Sequence, residues 1–148
     1  MTALRVAGCP LCDGTGGRLV FEAPEFRVIH PAEEGFPAFY RVVWKDHVAE
    51  WSDLPPQDRL LCMEAVTTVE RSMRDALAPT KINLAALGNM VPHLHWHVIG
   101  RFDWDTRFPA PVWAAAQRER ELQREAAVEV ELKALEREMV RRLAERSS

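Results

Sequence analysis

The stretch His93 to Phe102, HLHWHVIGRF, sets a histidine at every second position, and it is the strongest constraint on how the chain can fold. Side chains of an extended strand alternate between its two faces, so His93, His95 and His97 share one face while Leu94, Trp96 and Val98 point into a core. Such a strand needs a sheet with one apolar side and a second side open enough for imidazoles. The chain has 5 histidines in all, so 3 in register are not the filler of an ordinary half-buried strand. Two chemistries fit this pattern: three imidazoles around a catalytic metal, or a nucleophilic histidine with supporting neighbours.

The rest of the chain supplies a frame for that strand. RLVFEA (Arg18 to Ala23), FRVIH (Phe26 to His30) and AFYRVVW (Ala38 to Trp44) are rich in β-branched and aromatic residues, which predicts three strands in a meander. Between Leu54 and Leu77 the apolar positions Leu60, Leu61, Met63, Val66, Val69, Met73 and Leu77 recur at helical spacing, with proline at the start. KINLAAL (Lys81 to Leu87) is a further strand, joined to the histidine strand by GNMVP. About five short antiparallel strands packed with one long amphipathic helix make an α+β domain over residues 1–113. From Ala114 to Ser148 there is no glycine or proline, and charges of both signs surround Leu122, Val128, Leu132, Leu135, Met139 and Leu143. This second segment, 114–148, reads as a charged C-terminal helical extension packed on its own domain or on a partner subunit.

Composition narrows the partners. With 148 residues and 47% hydrophobic side chains the chain can bury a core, and its formal net charge of -3 gives no bulk positive field for nucleic acid or anionic membranes. Phosphate recognition has to be local. No apolar run approaches the roughly 20 residues of a membrane span, and MTALRVAGCP lacks the apolar stretch of a secretory signal, so a cytoplasmic protein is expected. The 3 cysteines, Cys9, Cys12 and Cys62, are an odd number that does not suggest a disulfide framework.

Residues beside the triad lean toward phosphate chemistry. Asn83, Gly88 and Asn89 offer neutral amides and a permissive backbone suited to holding phosphate oxygens, whereas the nearest downstream acids, Asp103 and Asp105, lie beyond the strand. At this point the run HLHWHVI resembles the His-x-His-x-His signature of the histidine triad (HIT) family, and INLAALGNMVPHLHWHVIGRF is similar to the matching block of bacterial HIT hydrolases. The resemblance runs from about Cys9 to Trp113 and includes RVVWKDHVAEWSDL.

The resemblance implies a HIT-like antiparallel sheet and a nucleotidyl hydrolase or transferase acting at the α-phosphorus of a nucleotide, a dinucleoside polyphosphate or a nucleoside phosphoramidate. It implies His95 as nucleophile, the carbonyl of His93 as its orienter, and His97 as donor to phosphate oxygens, with Asn83 and Asn89 completing the cradle. His30 would line the nucleoside pocket. No metal is required for this chemistry, and a homodimer is implied. The chain departs from the family where Gly88, Asn89 and Met90 replace the usual Gly-Gln-Ser/Thr, which removes a hydroxyl near the leaving group. Two rival readings stand beside it: a metal-dependent hydrolase ligated by His93, His95 and His97, and a non-catalytic nucleotide-binding or interaction module using the charged tail.

Cys9 and Cys12, in CPLC, have the spacing of a zinc knuckle, and a second ligand pair has to come from elsewhere, with His47 and His93 as candidates. Some bacterial members of the family resemble this arrangement. The resemblance therefore implies a structural zinc held by Cys9, Cys12, His47 and His93.

Overall fold

The computed structural model describes residues 4–146; the first three and last two residues, which the expected segments 1–113 and 114–148 include, lie outside it. Chain order is α1 (Pro10–Asp13), β1 (Arg18–Glu22), β2 (Phe26–His30), β3 (Phe39–Trp44), a 3-10 turn at Trp51–Asp53, α2 (Pro56–Leu77), β4 (Lys81–Ala85), β5 (His95–Arg101) and α3 (Leu122–Arg146). The strands form one antiparallel sheet in the order β1-β2-β3-β5-β4. The expected meander is its first half, and β5 enters between β3 and β4.

The two faces of the sheet are divided by the two-residue period of its strands. Val28, Tyr40, Val42, Trp44 and Val98 turn to the helices, where they form one cluster with Cys62, Val66, Val69 and Met73 of α2 and Leu132, Leu135, Met139 and Leu143 of α3. Both helices present apolar residues three or four apart, as an amphipathic helix on a sheet must. Because β3 and β5 are central and covered on both sides, nearly every residue in them is buried. Helix α2 starts with a proline in its first turn and stops at Ala78, whose left-handed conformation (φ 44) lets its N–H close on the carbonyl of Arg74 at 3.0 Å.

Two boundaries differ from the sequence expectation. The strand expected from His93 begins at His95, because His93 and Leu94 are drawn into a loop that bonds to β3 and to Val48: Leu94 accepts from the Trp44 N–H at 3.1 Å and donates to Val48 at 2.8 Å. The helix expected from Ala114 begins at Leu122. Residues 114–121 have good helix formers, but tertiary hydrogen bonds win: the Gln117 N–H donates to Thr106 at 2.7 Å, and Arg118 reaches the carbonyls of Asp105 (2.6 Å) and Phe108 (2.7 Å). Among the described residues, no helix is long and apolar enough to cross a membrane.

Helix α3 is held to the sheet by polar contacts as well. Glu136 accepts from both terminal nitrogens of Arg18 (2.5 and 2.9 Å) and from the Tyr40 hydroxyl at 2.6 Å. Since Leu135 is 1% exposed inside the shared cluster, Leu135→Ala is expected to lower the stability of the whole chain by about 3 kcal/mol in a single urea transition. A loss below about 1 kcal/mol, or a separate early transition for α3, would contradict this packing.

Candidate active site

On the face opposite the helices, β5 sets His95 across from Val43 and His97 across from Arg41 of β3. The chain arrives there through Gly88, whose φ of +68 turns the backbone after β4. His93 precedes the strand, and its ring is fully buried beneath the cysteine knuckle. Its Nε2–H donates to the Trp44 carbonyl at 2.6 Å, which leaves the Nδ1 lone pair aimed at Cys12 Sγ (3.4 Å) and Cys9 Sγ (3.6 Å). Nδ1 of His47 lies 3.5 Å from Cys12 Sγ.

The four donor atoms of Cys9, Cys12, His47 and His93 all lie within 4.8 Å of one another. A tetrahedral ion with ordinary metal–sulfur and metal–nitrogen bonds requires a sulfur-to-nitrogen spacing of about 3.5 Å, which these separations match. The Nε2–H of His93 is engaged by a carbonyl, the outer contact that fixes a metal-binding tautomer. This cluster can hold a metal ion.

The carbonyl of His93 faces the other way, toward His95. It accepts Nδ1–H of His95 at 2.6 Å, so Nε2 of His95 keeps its lone pair and borders an open cleft. His97 has the opposite tautomer: its Nδ1 accepts Nε–H of Arg41 at 3.3 Å, and the proton sits on Nε2. The two rings meet edge to face with centroids 5.0 Å apart. Burial pushes the pKa of all three triad histidines down; for His97, burial followed by the neighbouring His95 and Arg41 takes it to about 4. At neutral pH the triad is uncharged.

The cleft has a volume of about 670 Å³, within the range of small-molecule sites. Leu11, Leu87, Val91 and Trp113 give it apolar walls, and Asn89 and Arg41 give it polar ones. His93, His95 and His97 do not converge on a common point. Each Nδ1 has its own separate partner, and among the described residues the only metal-competent cluster uses His93 with the cysteines and His47.

Other sequence-selected residues are placed as follows. Asn89 lines the cleft. Asn83 pairs with Ile99 on the same face, but its Oδ1 accepts Nη1–H of Arg101 at 2.9 Å, and it is not part of the cleft wall. His30 lies on the helix face, edge to face with Tyr40; Nε2–H donates to the Pro37 carbonyl at 2.8 Å and Nδ1 accepts the Ala32 N–H at 3.2 Å. Both of its nitrogens are spent on backbone.

The structure gives definite places to two neighbours of the triad whose exposure and contacts the sequence leaves open, Trp113 and Arg101. Trp113, which reads as ordinary packing in sequence, stands with its ring centroid 5.8 Å from that of His97 and stays 56% exposed at the cleft. It is brought there by Arg101, which is 2% exposed and grips the Asp105 carboxylate through Nε (2.8 Å) and Nη2 (3.0 Å), and the Ala110 carbonyl at 2.8 Å. Burial alone would raise the Asp105 pKa, yet Arg101 and the N–H groups of Arg107 and Phe108 hold it below the usual carboxylate range. Arg101 thus clamps the loop that carries Trp113.

A histidine whose folded pKa lies below its ordinary 6.5 refuses protons that the unfolded chain accepts, so its contribution to stability is lost as pH falls through the window from 6.5 to about 4. The His97 ring signal in NMR is expected to stay constant from pH 8 to about 5 and to titrate with a midpoint near 4. A midpoint at or above about 6 would refute the buried, Arg41-capped placement.

Comparison with known proteins agrees with this geometry. Residues 16–104 match the model of the HIT domain. The fold is similar to a histidine triad protein of Bradyrhizobium japonicum (24% identity, 94% of this chain and 99% of that one, TM-score 0.72) and to one of Sinorhizobium meliloti (26% identity, 84% and 90%, TM-score 0.67). It is also similar to a protein of Sulfolobus tokodaii described as a hypothetical histidine triad nucleotide-binding protein (18% identity, 83% and 83%, TM-score 0.58). A search of curated proteins finds no match. With its triad on an open antiparallel sheet and the domain match over most of its length, this chain belongs to the HIT domain family.

Proposed function

We propose that the protein is a nucleotidyl hydrolase or transferase that works through a covalent intermediate on Nε2 of His95. The observation that carries this reading is the 2.6 Å hydrogen bond from His95 Nδ1–H to the His93 carbonyl, which pins the proton on the far nitrogen and leaves Nε2 free at the cleft. A neutral imidazole with its second nitrogen held in this way is a ready nucleophile. Its depressed pKa keeps it unprotonated at neutral pH.

In this reading the Nε2 lone pair forms a bond to the α-phosphorus, and the bond from phosphorus to the leaving group breaks with its electron pair on the leaving atom. Water or the hydroxyl of another acceptor then attacks phosphorus and releases its proton to solvent, as the N–P bond breaks and the pair returns to Nε2. Nε2–H of His97 and the amide of Asn89 donate to the phosphoryl oxygens as charge builds there. The apolar walls take the nucleoside. His30, bonded to backbone on the opposite face, serves the fold, and Asn83 acts through Arg101. The HIT family includes nucleotide hydrolases and transferases, and the name of the S. tokodaii neighbour agrees with a nucleotide ligand. The active form is a homodimer, and the protein works in the cytoplasm, where Cys9 and Cys12 stay reduced.

The Cys9, Cys12, His47 and His93 cluster takes zinc, because two thiolates and two imidazoles are the donor set of closed structural zinc sites. Bound there, zinc would supply a cross-link between the N-terminal knuckle and the loop before β5, and because the His93 donor would be Nδ1, the Nε2 face of His95 would stay open to the substrate.

Two measurements test this. Brief mixing with a panel of diadenosine polyphosphates and an adenosine phosphoramidate is expected to add a nucleotidyl mass to the intact protein with at least one of them; His95→Ala is expected to abolish the adduct and cut turnover by at least about 1,000-fold, while brief chelation leaves it intact. Turnover lost on brief chelation would move the histidines to a catalytic metal, and nucleotide binding without adduct or turnover would favour a binding module. Protein purified without a histidine tag is expected to carry about one equivalent of zinc, lost in Cys12→Ser. Metal-free protein whose Cys9 and Cys12 thiols titrate freely would refute the zinc assignment.

A further inference from the structure

Arg41 is the only charged side chain among the described residues that line the cleft around His95 and His97. It leaves β3 directly opposite His97. Its Nε–H donates to His97 Nδ1 at 3.3 Å, and Nη2 donates to the Glu33 carboxylate at 3.2 Å. A guanidinium has donors only and keeps its charge at any working pH, so this contact has a single polarity. Nδ1 of His97 accepts, and Nε2 carries the proton.

That polarity limits what His97 can do. A neutral imidazole that surrendered its Nε2 proton would become an imidazolate, and Arg41 cannot supply a replacement. His97 can donate a hydrogen bond but cannot hand over a proton. No other described residue lining the cleft fills that role. Asn89 is an amide, Met90 has no hydroxyl and is 96% exposed, and the indole N–H of Trp113 does not dissociate. The carboxylates nearby accept instead: Glu33 from Arg41, and Glu50, in a hollow beside His95, from the Asp53 backbone N–H.

We infer that Arg41 is a positioning residue which, by capping Nδ1 of His97, restricts the site to nucleotidyl donors whose leaving group departs as a stable anion and selects against donors that must release an amine. This inference rests on the nucleotidyl reading above. When the leaving atom is an oxygen of a phosphate chain, the P–O bond breaks as N–P forms, the electron pair stays on that oxygen, and no proton moves. An amine leaving group has to gain a proton on nitrogen as the P–N bond breaks, and none of the described residues lining the cleft provides it. The Arg41 charge further favours a polyanionic chain over a neutral amine.

The test compares kcat/KM for two adenylyl donors, diadenosine triphosphate and an adenosine phosphoramidate with an alkylamine leaving group, in the wild type, Arg41→Lys and Arg41→Met. Long-range 15N–1H spectra of histidine-labelled protein report the His97 tautomer. The wild type is expected to favour the polyphosphate by at least about 100-fold, with His97 protonated on Nε2 alone. In Arg41→Met the ratio is expected to shrink at least about tenfold as Nδ1 becomes free to hold a proton, with Arg41→Lys between the two. A purely structural role would lower both rates together. Wild-type preference for the phosphoramidate, an unchanged ratio in Arg41→Met, or a proton on Nδ1 in the wild type would overturn the inference. If neither donor gives turnover or adduct, the nucleotidyl reading and the selectivity fall together, and the spectra separately decide whether Arg41 caps His97. Should Arg41→Met fail to fold, the wild-type ratio, the wild-type tautomer and Arg41→Lys remain decisive.

Discussion

The candidate site of this molecule hangs on one buried residue, His93. Its ring and its peptide carbonyl satisfy three separate demands: Nε2–H closes on Trp44 at the end of β3, Nδ1 faces the two cysteines, and the carbonyl receives His95. A buried imidazole without partners would cost several kcal/mol, so once any of these contacts forms it favours a conformation that completes the others. The tautomer of His95 is therefore fixed by the same loop that joins the knuckle to the sheet. Orientation of the His95 ring and packing of the loop before β5 are coupled in this chain.

Burial, more than composition, decides how each charge is used. Arg41 and Arg101 both stand on the triad face, one on β3 and one on β5. Arg101 is enclosed, and every direction of its guanidinium is met by Asp105, Asn83 or Ala110, so its charge is spent on holding a loop. Arg41 is only half-buried and reaches the cleft, where its field acts on His97. A net charge of -3 says nothing of this local polarity.

Much of the frame could be read from sequence because it is periodic. The strands at Arg18, Phe26 and Phe39, the helix ending at Leu77 and the shared face of His95 and His97 follow from spacings of two or of three to four residues. What escaped was set by contacts between distant residues. Residues 114–121 have helical composition, but Thr106, Asp105 and Phe108 claim their hydrogen bonds. His93 looks like the start of a strand, yet a loop and the cysteines take it. Trp113 carries no local signal of its place beside His97, because the Arg101 to Asp105 clamp that delivers it is formed by a loop of no regular pattern. His30 could be located on a strand but not on a face relevant to the cleft, since that depends on the register with Tyr40.

The alternation of β3 explains how structure and chemistry share so small a sheet. Tyr40, Val42 and Trp44 turn to the helices, and Arg41 and Val43 turn to the triad. Tyr40 donates its hydroxyl to Glu136 of α3, and burial together with that bond keeps its pKa raised, so the phenol stays neutral and the bond is retained across the working pH range. The residue next to it holds His97. A slip of one position in β3 would place Arg41 in the apolar core and Tyr40 in the cleft, exchanging the two faces at once. The C-terminal helix, by anchoring Tyr40, opposes that slip, which gives a segment on the opposite face of the sheet a direct part in keeping Arg41 at the cleft.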